Sequence, residues 1–178
     1  MTKDEFIAAA TAAAQASSAA SGFPPGVTVA QAALESAFGN SGLARMANNY
    51  FGIKARPDHP SKPNAGLPGT PAGGQAIELP TVEYVDGAPV RSTAKFAKYG
   101  SMAECFAARD HMIASLPAYQ EARAAAQDPE AFVCAFAPHW ATDPGYAEKV
   151  LYVYRVHALD RLDHPPVTAS AAAHADGG

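Results

Sequence analysis

The sequence predicts an α+β protein, predominantly helical, in which about six helices surround one β-hairpin. Alanine-rich segments with apolar residues at helical spacing, several of them preceded by a capping residue, predict the helices. Alternation over 81–85 predicts a strand, and the Asp86-Gly87 pair that follows is a two-residue hairpin signal, with a return strand over 90–96. The segment 56–74 is rich in proline and glycine, has no periodicity and predicts a long loop.

Composition limits the function classes. A chain of 178 residues with 48% hydrophobic residues suffices for one domain with a proper core. A net charge of -4 argues against a nucleic-acid partner. The run 8–20 is too weakly apolar to insert into a membrane, and the N-terminus lacks the hydrophobic region of a signal peptide. We therefore expect no membrane insertion, and delivery outside the cytoplasm by a non-classical route.

The N-terminal part predicts three helices. Residues 2–20 carry an apolar stripe, and a second helix is expected to begin at Thr28, where Gln31 stands in the capping-box position. Gly39 is typical of the residue that ends a helix in the left-handed conformation. A short helix over 43–47 follows.

The C-terminal part predicts further helices from their caps. Ser101 begins one helix, and Asp128 with proline next to it begins another. Thr142 or Asp143 is expected to cap the last helix, with Pro144 at its first position.

Cys105 and Cys134 both fall in predicted helices among apolar residues. We expect two buried thiols, and a disulfide between the helices is the alternative. Two cysteines at this spacing provide no zinc site.

Glu35 is a single carboxylate near the C-terminal end of the second predicted helix. The helix C-terminus disfavours negative charge and apolar neighbours desolvate a carboxylate, so both effects raise the pKa of this side chain. A glutamate that stays protonated near neutral pH can act as a general acid. The alternative is a glutamate that simply reaches solvent, which is the commoner situation.

Two ordered motifs contain or follow this glutamate. They read Gln31-Ala-Ala-Leu-Glu35-Ser-Ala-Phe-Gly39-Asn-Ser41 and Asn48-Asn-Tyr-Phe-Gly-Ile-Lys54. Together they resemble the signature of glycoside hydrolase family 73, the peptidoglycan-cleaving endo-β-N-acetylglucosaminidases. The resemblance implies a lysozyme-like helical body with a small β-hairpin lobe, the two forming a cleft, and it implies that Glu35 is the general acid.

The hairpin phrase 81–87 also resembles the family, whose glutamate at this point faces the cleft opposite the general acid. Carried over, Glu83 is the second catalytic carboxylate. Without the resemblance, a solvent-facing strand residue would be the better interpretation.

The resemblance also implies substrate-binding residues. The stretch 141–147 matches a motif whose tyrosine lines the sugar site, which makes Tyr146 a candidate. The family usually has Gly-Tyr just before this motif, where this chain has His139-Trp140; sugar stacking and core packing are equally weighted for Trp140. The other candidates come from the two motifs around the general acid and are Gln31, Phe38, Asn49 and Phe51.

The resemblance implies hydrolysis of the β-1,4 bond between N-acetylglucosamine and N-acetylmuramic acid in peptidoglycan, with no metal and no cofactor. Two second steps stay open, because Glu83 can activate water or the acetamido group of the substrate can attack. A muramidase or lytic transglycosylase is one alternative function. An inactive peptidoglycan-binding or scaffold domain is the other.

We expect residues 1–163 to form the catalytic domain and 164–178 a disordered tail. The expected partners are peptidoglycan glycan strands, and we expect a monomer that acts in the periplasm or cell wall. An endolysin, a flagellar wall-opening domain and an injected effector all fit. For an effector, a cognate immunity protein is a further expected partner.

Overall fold

The computed structural model describes residues 1–55, 76–85 and 88–164, with the backbone alone described for 81–85 and 88–92. Its elements follow one another in the order α1 Lys3–Ser21, α2 Pro25–Ser36, α3 Gly42–Ala47, β1 Ala76–Val85, β2 Ala88–Ala97, α4 Met102–Ser115, α5 Gln120–Ala124, α6 Pro129–Trp140, α7 Tyr146–Val156 and α8 Asp160–Asp163. A 3-10 turn over Pro117–Tyr119 precedes α5. The predicted mainly helical α+β fold is confirmed.

Local capping determines where several helices begin. Thr2 and Glu5 form a reciprocal capping box at the start of α1, with backbone-to-side-chain distances of 3.2 and 2.8 Å. Ser101 accepts from the Glu104 N–H at 3.2 Å, and Asp128 caps α6 with proline at its first position. The helix starts after Ser101 and Asp128 were predicted from these caps and are confirmed. The capping box at Thr2 was not predicted.

The central helix α2 begins and ends earlier than predicted. It starts at Pro25 because proline needs no N–H partner at a first helical position. The Thr28 hydroxyl lies inside the helix and donates to the Pro24 carbonyl at 3.1 Å. The helix ends at Ser36, and the following Ala37 and Phe38 adopt φ of 50° and 54° before Gly39.

Helix α2 is buried on nearly all sides. Val27, Val29, Ala30 and Ala32 are all fully inaccessible, and α2 packs against α1, α7 and α8. Nine of its twelve residues are buried, three of them polar, namely Thr28, Gln31 and Ser36. Glu35, the penultimate residue, is therefore carried by a helix that is largely buried in the core.

The two strands form one antiparallel hairpin, with pairing from Ala76–Ala97 to Val85–Ala88. The predicted strand is longer than expected and includes Pro80, which pairs with Thr93. The base of the hairpin joins the helical body where the Ala97 N–H donates to the Ile53 carbonyl at 2.9 Å. The predicted Asp86-Gly87 turn, the loop over 56–74 and the tail after 164 lie outside the described residues.

Two other predictions need correction. Helix α7 begins at Tyr146, because Asp143 accepts from the Gly145 N–H at 2.9 Å and pairs with Lys149 and does not cap the helix. Cys105 is buried as expected, but Cys134 is exposed, and both thiols are free.

Across the described residues, none of the helices combines the length and the apolar character that a membrane crossing requires.

Candidate active site

A pocket of about 500 Å³ lies where the end of α2 meets the loop after α3 and the end of α6. Its walls are aromatic, aliphatic and polar side chains, namely Glu35, Phe51, Gly52, Ile53, Lys54, Met112, Tyr119, His139, Trp140, Ala141, Thr142 and Asp143. The backbone of Lys54 also forms an isolated antiparallel β-bridge with Phe96 of β2, so one wall of the pocket continues into the base of the hairpin. The volume suits a carbohydrate-sized ligand.

Glu35 is the carboxylate of this pocket. Burial is the largest influence on it and raises its pKa above 4.5, as the sequence predicted. Hydrogen bonding from Tyr146 and then from Trp140 acts in the opposite direction, because it stabilises the ionised form. Glu35 thus has the environment of an acid that retains its proton to higher pH than an exposed glutamate.

Tyr146 lies beside the catalytic candidate as its hydrogen-bond donor. Its Oη donates to Oε1 of Glu35 at 2.5 Å, and the ring is only 6% exposed. Burial, followed by the charge of Glu35, raises the pKa of Tyr146, so the phenol stays protonated. It was predicted to line the sugar site, but the structure places it among the residues behind Glu35 and outside the pocket lining.

Gln31 is completely buried behind Tyr146. Its Nε2 donates to Tyr146 Oη at 3.2 Å, and its Oε1 accepts from Nε of Arg109 at 2.9 Å. Both ends of the amide are therefore used within the protein, and Gln31 is not part of the pocket lining.

Arg109 is a fully buried arginine on α4. Its Nη1 donates to Asp110 at 2.7 Å and to the Thr28 hydroxyl at 3.1 Å, while its guanidinium lies over the rings of Phe132 and Phe136. The sequence did not predict Arg109 as a residue of the site. The available signal was its position four residues after Cys105, which places a charge on the predicted apolar face of the helix.

Asn49 and Phe51 have different places. Asn49 is 1% exposed, and its Nδ2 donates to the carbonyls of Ile53 and Ala97, each at 2.8 Å. It therefore ties the loop to β2 and does not offer its amide to the pocket. Phe51 does line the pocket, with its ring 4.9 Å from that of Phe106.

Trp140 combines the two roles that the sequence left open. One part of the half-buried indole packs near Phe51 and Phe136, at ring-centroid distances of 6.3 and 6.4 Å. Another part lines the pocket. The indole is thus fixed in position with a surface available to a sugar.

The two remaining candidates are not brought into the described pocket. Phe38 packs against Phe6 and His157, at centroid distances of 5.9 and 5.3 Å, and is not among the pocket residues. The backbone of Glu83 pairs with Val90 in the hairpin, and its side chain lies outside the described residues.

The pocket also contains side chains that the sequence analysis did not single out. Tyr119 donates to the His139 carbonyl at 3.2 Å, and Met112 reaches the same wall from α4. No local pattern marks them, because three separate elements bring them together. Among the described residues, no group of three histidine, cysteine or acidic side chains could hold a metal ion.

A family model described as "Glucosaminidase: Mannosyl-glycoprotein endo-beta-N-acetylglucosaminidase" matches residues 11–159, which is most of the chain and includes Glu35 and its pocket. The chain belongs to the glucosaminidase family. This confirms the resemblance to glycoside hydrolase family 73, and with it a family of glycoside hydrolases.

Relatives and solved structures agree with this membership. The exo-glucosaminidase LytG of Bacillus subtilis is 30% identical over 78% of this chain and 46% of its own length. The catalytic domain of the autolysin Auto from Listeria monocytogenes superposes with a TM-score of 0.74 at 25% identity, covering 90% of this chain and 86% of that domain.

The truncated glycoside hydrolase domain of Salmonella typhimurium FlgJ gives a TM-score of 0.66 at 29% identity, over 88% of this chain and 98% of that domain. The chain spans less than half the length of the curated relative LytG but nearly all of this solved domain. The family likeness therefore concerns a catalytic domain.

Proposed function

We propose that this chain is a peptidoglycan hydrolase domain that cleaves the β-1,4 bond between N-acetylglucosamine and N-acetylmuramic acid. The observation that carries the proposal is the Glu35 carboxyl, which is held at the end of a buried helix with a raised pKa and opens into a pocket of about 500 Å³. The names of the relatives supply the substrate class, since they include peptidoglycan hydrolases and an exo-glucosaminidase.

Glu35 acts as the general acid in this proposal. Its proton passes to the glycosidic oxygen as the bond from that oxygen to C1 breaks, and the sugar becomes oxocarbenium-like. The leaving sugar thereby departs as a neutral alcohol and the glutamate becomes a carboxylate. Tyr146 donates to that carboxylate and stabilises the charge left behind.

The second step requires the addition of water to C1. Either Glu83 removes a proton from the water directly, or the acetamido oxygen of the substrate first closes on C1 and water then opens that ring. In both routes the water hydroxyl ends on C1 and its proton returns to a carboxylate. Glu83 is proposed here from its motif alone.

Aromatic walls suit the sugar rings. Trp140 offers a face and Phe51 an adjoining surface, while Tyr119 adds a third ring on the same side. Apolar sugar faces stack on such rings, and the polar atoms of Asp143 and Thr142 stand at the pocket edge.

Digestion of purified sacculi by wild type and Glu35→Gln, followed by mass spectrometry of the products, tests the function. We expect reducing-end N-acetylglucosamine from wild type and a loss of at least about 100-fold in rate in the variant, because general acid catalysis contributes this much. Reducing-end or anhydro muramic acid would instead assign a muramidase or a lytic transglycosylase. Binding without release would assign the inactive binding domain.

A matched pair of variants tests the role of the second carboxylate. Glu83→Gln should remove most of the activity, whereas Glu78→Gln on the same strand should leave it unchanged, because Glu78 is exposed and pairs with Lys95 at 3.3 Å. Equal activity of the two variants would remove Glu83 from the proposed mechanism and leave the role of Glu35 intact.

We further propose that residues 1–163 are the catalytic domain and that the protein acts on the cell wall as a monomer. Size-exclusion chromatography coupled to light scattering tests the oligomeric state. An immunity protein and a non-classical delivery route stay predictions from the sequence.

A further inference from the structure

Behind Glu35 a chain of hydrogen bonds connects three elements. It runs from Arg109 on α4 to Gln31 on α2, then to Tyr146 on α7, and it ends at Oε1 of Glu35. The three distances are 2.9, 3.2 and 2.5 Å. Every link is short enough for a hydrogen bond, and the first three residues are buried.

The series of hydrogen bonds from Arg109 to Glu35 can run in only one direction. A guanidinium has only donors, so the atom of Gln31 that faces Arg109 must be the amide oxygen. The amide nitrogen then faces Tyr146 and can only donate to its hydroxyl. The reverse orientation of Gln31 would place two N–H donors against each other at 2.9 Å in a buried site.

The direction of these hydrogen bonds determines where the Tyr146 hydroxyl donates its proton. Its hydroxyl oxygen already accepts from Gln31, and its own proton points to Oε1 of Glu35 at 2.5 Å. If Oε1 carried the proton of the acid form, the Tyr146 proton would have no acceptor among the described contacts of that hydroxyl. The proton of neutral Glu35 therefore belongs on Oε2.

We propose that Arg109 and Gln31 are positioning residues for Glu35: they hold the Tyr146 hydroxyl on Oε1 and so leave Oε2 as the oxygen that delivers the proton. This inference rests on the proposed role of Glu35 as general acid. A lytic enzyme needs one oxygen of the acid presented to the scissile bond in a fixed orientation. The chain of bonds provides that orientation from the side opposite the pocket.

The burial of Arg109 supports a purpose beyond packing. A fully buried ion pair with Asp110 is seldom more stabilising than apolar side chains of similar volume would be. Nη1 of the guanidinium donates to Asp110 and Thr28, and its plane lies over two aromatic rings. Its Nε donates to Gln31, while its buried Nη2 has no hydrogen-bond partner among the described residues.

Other ionisable groups near Glu35 must be considered in any titration. From the described elements these are Tyr146 behind it and, around the pocket, Lys54, Tyr119, His139 and Asp143. The influences on the pKa of Glu35 are burial and the hydrogen bonds from Tyr146 and Trp140. Trp140 is the single tryptophan of the chain, so its fluorescence reports on the ionisation of its neighbour.

The test is a fluorescence pH titration of Trp140 in four proteins: wild type, Tyr146→Phe, Gln31→Glu and the double variant. Gln31→Glu keeps the shape and the contact with Arg109, but a carboxylate cannot donate to Tyr146. The tyrosine proton is then shared between two acceptors, so the hydrogen bond from Tyr146 to Glu35 weakens while the one from Trp140 remains. We expect each single variant to raise the apparent pKa of Glu35 by about one unit.

The double variant distinguishes the hydrogen-bond chain from a charge effect through space. If Gln31 acts through the tyrosine hydroxyl, the double variant should titrate like Tyr146→Phe alone. A further increase of the same size in the double variant would contradict the proposal, as would an unchanged titration of Gln31→Glu.

Three controls accompany it. Glu35→Gln should abolish the transition, and Gln31→Glu combined with Glu35→Gln reveals any ionisation of the introduced carboxyl. Gln15→Glu adds the same charge to an exposed site on α1 and should leave the titration unchanged.

A second measurement needs no substitution at Gln31. The side-chain amide resonances of Gln31 in wild type should shift with the ionisation of Glu35, and this coupling should disappear in Tyr146→Phe. An amide that does not follow the titration would overturn the proposal. If the titrations behave as expected but wild type releases nothing from sacculi, the proposed function fails and the positioning chain stands.

Discussion

Glu35 is subject to two opposing influences, since burial favours its neutral form and the hydrogen bond from Tyr146 favours its ionised form. Burial is the larger, so its pKa in the folded protein lies above the ordinary 4.5. At a pH between the unfolded-state and the folded-state pKa of Glu35, the folded protein binds more protons than the unfolded protein. The contribution of Glu35 to stability is therefore fully present below about pH 4.5 and is lost as the pH rises through the folded pKa.

This sign gives a stability prediction for Glu35→Gln. The neutral amide carries no charge that burial would disfavour. The variant should therefore have a higher melting temperature than wild type at pH 8. The gain should shrink at pH 4, where both side chains are neutral. Thermal unfolding at the two pH values measures this, and a gain that is larger at pH 4 would contradict the assigned direction of the pKa shift.

At the scale of elements, the N-terminus of α2 is fixed by α8. Asp163 accepts from the Gly26 N–H at 2.6 Å and from the Tyr154 hydroxyl at 2.8 Å. A carboxylate at a helix N-terminus satisfies a free N–H and interacts favourably with the helix dipole. The helix that carries Glu35 is thereby anchored at its far end.

Asp163→Ala should lower the free energy of unfolding by about 1–2 kcal/mol, since a cap and a buried partner are lost together. Asp160→Ala, an exposed acidic residue on the same short helix, is the matched control and should change little. Urea denaturation of both variants measures the difference. Equal effects of the two substitutions would show that the Gly26 contact has no special weight.

Gly26 itself has no room for a side chain. A Cβ there would lie 2.3 Å from the Leu159 carbonyl oxygen and 2.8 Å from Asp163 Oδ2. Gly26→Ala should therefore destabilise by about 1–3 kcal/mol, because backbone must move. Gly42→Ala, whose Cβ would meet only the end of Met46 at 3.5 Å, should be tolerated, and chemical denaturation compares the two. Similar stabilities would mean that α2 and α8 separate easily.

At the scale of the whole molecule, backbone hydrogen bonds and the side chain of Asn49 join the described part of the hairpin to the helical body. Asn49 donates to carbonyls on both sides of the junction and accepts from the Ile53 N–H at 3.0 Å. The position of the lobe relative to the pocket depends on this buried amide.

Asn49→Ala should destabilise by about 1–3 kcal/mol and increase hydrogen exchange in 93–97 more than in α2, because it leaves buried carbonyls without a donor. Asn40→Ala, at an exposed site, is the control. Exchange that rises equally throughout the protein would indicate global destabilisation and not a loosened lobe.

Sequence reasoning succeeded where the interactions are local. The caps at Ser101 and Asp128 involve partners within three residues, and both were predicted. The prediction that Thr28 caps α2 was wrong because Pro25 starts the helix earlier, so two local signals competed. The partners of Gln31 are 78 and 115 residues away, and no local pattern reports such contacts.

The most direct test of the central claim compares two pKa values of the free enzyme. One is the basic limb of the pH profile of kcat/KM on a defined peptidoglycan tetrasaccharide, and the other is the Trp140 fluorescence titration of Glu35. We predict that the two coincide above 4.5 and that Glu35→Gln loses both. A basic limb at a different pKa, or activity that survives in Glu35→Gln, would contradict the assignment of Glu35 as the general acid.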